Sequence, residues 1–169
     1  PERRLELKYE RFLRYRNHAD LELKAVNWNI ALKCSQYAAR LAPDDRDVRG
    51  RVALAEAYIQ FVQSPEDGKA VRGKLQQAAQ LLPDWPDPHL ALARLHVYQD
   101  RNLGRAMAEW HTAERLGYRL GPREWEQEGD AYLARVEGSL RQLSRKRPPK
   151  NASSTLTLLR RDVYRARAR

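Results

Sequence analysis

Three fifteen-residue stretches of this chain align without a gap: IALKCSQYAARLAPD at 30–44, AVRGKLQQAAQLLPD at 70–84 and RAMAEWHTAERLGYR at 105–119. Their starting positions lie 40 and then 35 residues apart. Recurrence at that period constrains the fold more than any other feature, because one short unit cannot bury its apolar side except against a neighbouring copy. The equivalent positions are Ala31, Val71 and Ala106; Ser35, Leu75 and Trp110; Ala38, Ala78 and Ala113; and Leu41, Leu81 and Leu116. Steps of four, three and three hold these positions on one face of a helix. Each copy therefore predicts an amphipathic helix with a small residue mid-stripe, where a neighbour can approach closely.

A second piece recurs upstream. LAEAY at 54–58 and LARLH at 92–96 precede two of the copies, and WEQEGDAY at 125–132 follows the third. Aligned on the small residue, Gly129 stands beside Ala93 and Ala55, and Tyr132 beside His96 and Tyr58. Runs of alternating apolar residues are almost absent, so the class is all-α. Proline and glycine at Pro43, Pro83, Gly117 and the run RPPKN at 147–151 mark helix stops. In SPED at 64–67, Ser64 reads as an N-cap with Pro65 in the first helical position. Eight helices are predicted, over 3–17, 19–41, 46–62, 65–81, 88–99, 103–116, 122–145 and 154–169.

The pattern resembles the tetratricopeptide repeat. Trp125, Gly129 and Tyr132 match that family's first-helix signature, Ala106, Trp110 and Ala113 its second-helix signature, and Pro43 and Pro83 its closing proline. The match covers about residues 31–133, and no single unit holds every signature residue. The 40-residue spacing exceeds the family's 34, and Tyr118 stands where a third proline belongs. The resemblance implies a right-handed α-α superhelix of about four antiparallel hairpins, a solenoid over 1–146; the residues themselves add a proline-containing linker at 147–152 and a basic C-terminal helix over 153–169 that caps it. It also implies a non-catalytic scaffold whose first helices line a groove for a peptide or protein segment. Carried onto this chain, those positions are Glu56, Ile59 and Gln60; Leu90, Arg94, Val97 and Tyr98; and Glu126, Asp130 and Leu133.

Composition matters mainly through where its charge lies. The net charge is +10, yet residues 139–169 carry ten basic residues against Asp162 alone, so the preceding body is close to neutral. Arg160, Arg161, Arg165, Arg167 and Arg169 form a basic patch beside a stripe of Leu156, Leu159, Val163 and Ala166. An alternative function follows: an electrostatic adaptor that holds an anionic membrane surface, an acidic protein or nucleic acid through this segment. Tyr164 is its one aromatic residue, which disfavours nucleic acid, where bases stack on rings. With 42% apolar residues and no run of about 18 of them, the chain reads as soluble, cytoplasmic or periplasmic, without a transmembrane segment.

Chemistry finds few footholds. There is no glycine-rich phosphate loop, no GxSxG and no HExxH. His89 and His96 are seven residues apart, a spacing that does not place two imidazoles on one metal, and Cys34 is the only thiol. No cofactor, metal or catalytic residue is expected. WEQEGDAY reads either as an aromatic and acidic ligand pocket or as scaffold. Helical geometry favours scaffold, with Trp125, Gly129 and Tyr132 on a buried face and Glu126 and Asp130 turned to a partner.

Overall fold

The computed structural model describes residues 2–146, with side chains to 142. The linker at 147–152, the helix over 153–169 and the patch of Arg160, Arg161, Arg165, Arg167 and Arg169 lie outside the described residues. Among those described there are seven helices and no strand: α1 (Glu2–Lys24), α2 (Trp28–Leu41), α3 (Arg46–Gln63), α4 (Gly68–Leu81), α5 (Asp87–Tyr98), α6 (Leu103–Arg115) and α7 (Pro122–Lys146). None is long and apolar enough to cross a membrane. The chain divides into two compact units, 1–92 and 93–169, each described by itself below.

In the first unit consecutive helices pack antiparallel. Phe12 of α1, Ala38 of α2 and Val48 of α3 form one buried cluster, ringed by Leu13, Tyr15, Ala39, Leu41 and Ala42. Tyr15 stacks on Tyr37 at 5.3 Å, and Trp28 stacks on Tyr58 at 5.2 Å. The α3/α4 pair is tied at one end by Arg46 donating to the Gln80 carbonyl and at mid-length by the Glu56–Lys74 ion pair. The pair packs so closely that a Cβ on Gly50 would stand 2.5 Å from Leu82 Cγ and 3.0 Å from Leu81 Cβ. The small residue that sets this approach is Gly50, four residues before LAEAY; Ala53, Ala55 and Ala57 are also buried.

The chain leaves α2, α3 and α4 by the same device. Ala42, Ser64 and Leu82 each donate a last N–H to the carbonyl four residues back, and each begins a turn whose second residue is proline. The turns close through Asp45 N–H to Ala42 O at 3.2 Å, Asp67 N–H to Ser64 O at 3.1 Å and Trp85 N–H to Leu82 O at 3.1 Å. Proline at the second position pre-sets the turn, and its ring disfavours helical backbone in the residue before it. SPED is thus a third copy of the APDD and LPDW turns, which corrects the expectation that Ser64 and Pro65 start a helix. Ser64 closes α3, and Asp67 is the N-cap of α4, accepting from Ala70 N–H at 3.3 Å. Asp45 caps α3 in the same way, accepting from Val48 N–H at 2.8 Å.

The first boundary also differs from expectation. Helix α1 runs through His18 and ends at Lys24, where Asn27 N–H bonds to Glu22 O and Val26 N–H to Leu23 O. That pair of bonds is the Schellman motif, with Val26 in the left-handed region at φ 65°. Helix α6 ends identically: Tyr118 N–H bonds to Ala113 O, Gly117 N–H to Glu114 O, and Gly117 takes φ 88°. The second stop carries the glycine that announces such a motif in a sequence, and the first does not.

The stripe read from the repeats is buried in all three copies. Ala31, Val71 and Ala106, then Ser35, Leu75 and Trp110, then Ala38, Ala78 and Ala113 are all buried, while Leu41, Leu81 and Leu116 at the helix ends are half-buried. Helix α7 departs from expectation. Among its described side chains the buried ones are Glu124, Gln127 and Ala131, whereas Trp125 is 60% and Tyr132 42% exposed. Glu124 turns inward because it caps its own helix, accepting from Gly121 N–H at 2.8 Å and from the Tyr118 hydroxyl at 3.4 Å. Glu124 shares the inward face of α7 with Gln127 and Ala131, and the signature aromatics face out.

Candidate functional site: a cleft between α5 and α7

The second unit contains a half-open cleft of about 300 Å3. Helix α5 supplies Val97, which is buried, and Tyr98, which is exposed, from its last turn. Helix α7 supplies Asp130, Leu133, Ala134, Glu137, Gly138 and Arg141, a series at steps of three, one, three, one and three that keeps to one face. Arg101 completes the lining from the turn after α5, where it takes φ 50°. Asn102 N–H bonds back to His96 O there at 2.9 Å, and the Asn102 side chain caps α6 by accepting from Arg105 N–H at 3.1 Å.

Across the cleft the Tyr98 hydroxyl donates to Asp130 Oδ2 at 3.2 Å. Burial raises the phenol pKa above its usual value, and the Asp130 carboxylate raises it further by its charge and by accepting that hydrogen bond. Arg94 opposes the shift and Glu126 adds to it, so both lie within electrostatic reach of the ring. Glu137 pairs with Arg141 at 3.6 Å, one helical turn away. The floor is therefore apolar, made by Val97, Leu133 and Ala134, and the rim carries both signs of charge. Such a surface suits a short peptide, whose side chains need the floor and whose polar groups need the rim.

Of the ten groove residues expected from sequence, Val97, Tyr98, Asp130 and Leu133 line this cleft, and Arg94 and Glu126 are exposed beside it. The other four belong to the first unit. Glu56 is paired with Lys74, Gln60 Nε2 donates to Asp67 Oδ2 at 3.3 Å, and Ile59 and Leu90 are half-buried. Glu137 and Arg141 are not among the expected residues, although the same steps of three and four lead from Leu133 to both. Arg101 gave no signal, since its place depends on a backbone angle.

No set of three metal-ligating side chains occurs among the described residues. Three histidines engage carboxylates three or four residues further along the chain: His18 with Glu22 at 3.0 Å, His96 with Asp100, just past the end of α5, at 2.6 Å and His111 with Glu114 at 3.3 Å. Cys34 is buried, and desolvation together with the Glu22 charge pushes its thiol pKa up, which leaves little thiolate. No family model, curated protein or solved structure matches the chain.

Proposed function

We propose that this chain is a non-catalytic interaction scaffold: a divergent tetratricopeptide-like solenoid of about four helix pairs that holds a peptide or protein segment. The observation that carries this reading is the convergence of α5 and α7 on one cleft. Val97 and Tyr98, and Asp130 and Leu133, are the positions where the family's pattern puts groove residues, and they line the same cavity. Antiparallel packing of successive helices and burial of the repeated stripe support the repeat architecture.

The test is selection of peptides from a display library on the full chain, followed by affinity measurement with Tyr98→Ala and Leu133→Ala. Enriched sequences that lose about tenfold or more in affinity in both variants fit the cleft. Enrichment of no common sequence, or affinity in both variants equal to that of the unsubstituted chain, rejects it.

Charge segregation favours a second reading, in which residues 139–169 hold a polyanion. That reading predicts binding to anionic vesicles that weakens steeply with salt and falls sharply when the chain ends at Lys146, which removes seven of the segment's ten basic residues. Peptide binding at the cleft survives both changes.

A further inference from the structure

The first unit carries another cleft, of about 470 Å3, formed where α2 and α4 flank α3. Arg40 reaches it from α2 and Arg49 from α3, with the amides of Gln36 and Gln77 on either side and Ala39, Val52 and Ala53 beneath. The first helices of the pairs line the groove that the repeat pattern predicts. Here four of the lining residues come from α3, itself a first helix, and one of them, Glu56, is an expected groove position; Gln36, Ala39 and Arg40 of α2 and Gln77 of α4 complete the cleft, which shares no residue with the α5/α7 cleft.

We infer that this cleft binds an acidic protein segment through a carboxylate held by Arg40 and Arg49. The one acid in the lining, Glu56, is neutralised by Lys74, so the two guanidiniums face no opposing charge within the cleft. Arg40 is held in place: its guanidinium lies over the Tyr37 ring at 5.2 Å, and Tyr37 is itself stacked on Tyr15. Stacking fixes the plane of a guanidinium and leaves its N–H edge free for the two-pronged bonding that suits a carboxylate. The Gln36 and Gln77 amides each offer a donor and an acceptor, as a peptide backbone requires. No aromatic ring lines the cleft on which a base would stack, which favours a peptide over nucleic acid.

The experiment titrates the isotope-labelled full chain with a blocked glutamate hexamer at fixed ionic strength, observed by NMR. Saturable shifts of the Gln36 and Gln77 side-chain amides and of the Ala39 and Ala53 backbone amides are expected. Arg40→Gln with Arg49→Gln should weaken that binding about tenfold or more. Arg160→Gln with Arg161→Gln, and Tyr98→Ala, should leave it unchanged, which separates this site from the basic segment and from the α5/α7 cleft. Arg40→Lys with Arg49→Lys keeps the charge and should still weaken binding, because an ammonium lacks the planar fork. Shifts confined to residues 139–169, undiminished affinity in either arginine double variant, or tighter binding of an oligonucleotide at the same amides would each overturn the inference.

Discussion

Single residues set where this chain turns and how closely its helices approach. Val26 occupies the left-handed position of a Schellman motif that Gly117 occupies elsewhere. A β-branched residue there costs about 1–2 kcal/mol, because its Cβ crowds the following carbonyl. Val26 is 58% exposed and so loses little packing on replacement. Val26→Gly is expected to stabilise by about 1 kcal/mol and to raise Tm by roughly 2–4 °C in a calorimetric scan. Gly50→Ala should act in the opposite direction. The added methyl would stand 2.5 Å from Cγ of Leu82, itself 1% exposed, and overpacking of this kind costs about 1–3 kcal/mol in denaturant unfolding. Tyr98 gives a pH signature. Its folded-state pKa is raised, so the contribution to stability is present below the unfolded value near 10 and is lost as pH rises through the higher folded value. In a tyrosinate absorbance titration, referenced to Tyr98→Phe, Asp130→Asn should bring this phenol's pKa down.

At the scale of elements, the repeats were legible and the rotation of one helix was not. The stripe through Ser35, Leu75 and Trp110 could be read because three copies repeat one spacing, and burial follows that spacing in each. WEQEGDAY has a similar spacing, yet the buried face of α7 is the one with Glu124, Gln127 and Ala131, where Glu124 accepts from the Gly121 amide and the Tyr118 hydroxyl. A cap formed by a charged side chain is a local signal, but which face of the helix is buried depends on what packs around it. Trp125→Ala and Tyr132→Ala should therefore each change unfolding stability by no more than about 0.5 kcal/mol, whereas Ala131→Leu should cost about 1–3 kcal/mol. If the two aromatic variants prove the costlier, this orientation of α7 is wrong. The rotation also serves the candidate cleft, since it sets Asp130, Leu133 and Glu137 along one edge.

At the scale of the molecule, the contact that no local pattern announces is made by Arg51. It is 4% exposed, donates from both Nε and Nη2 to the Asp20 carboxylate of α1, and lies with its guanidinium 4.6 Å from the Trp85 ring centre. Three separate parts of the first unit, α1, α3 and the turn after α4, therefore meet on one side chain. Arg51→Ala should destabilise by about 2–3 kcal/mol, with most of the loss shared with Asp20→Ala in a double-mutant cycle, because removal of either partner strands the other. Additive effects would show that the pair is not coupled.

The sequence by itself determined that this chain is helical, where most of its helices run, and which face of each second helix is buried. Backbone sterics, prolines, caps and the 3.6-residue period act over a few residues, and repetition makes them readable. Only the tertiary structure decided that α1 continues through His18, that Gly50 sets the α3/α4 approach, that Arg51 is buried and that α7 turns Trp125 and Tyr132 outward. Those outcomes depend on atoms brought together from distant positions or on backbone angles left open by composition. The candidate sites divide in the same way. Val97, Tyr98, Asp130 and Leu133 are positions implied by the resemblance to the tetratricopeptide pattern, whereas Arg101 beside them, and Arg40 with Arg49 across α2 and α3, emerge only when separate elements pack.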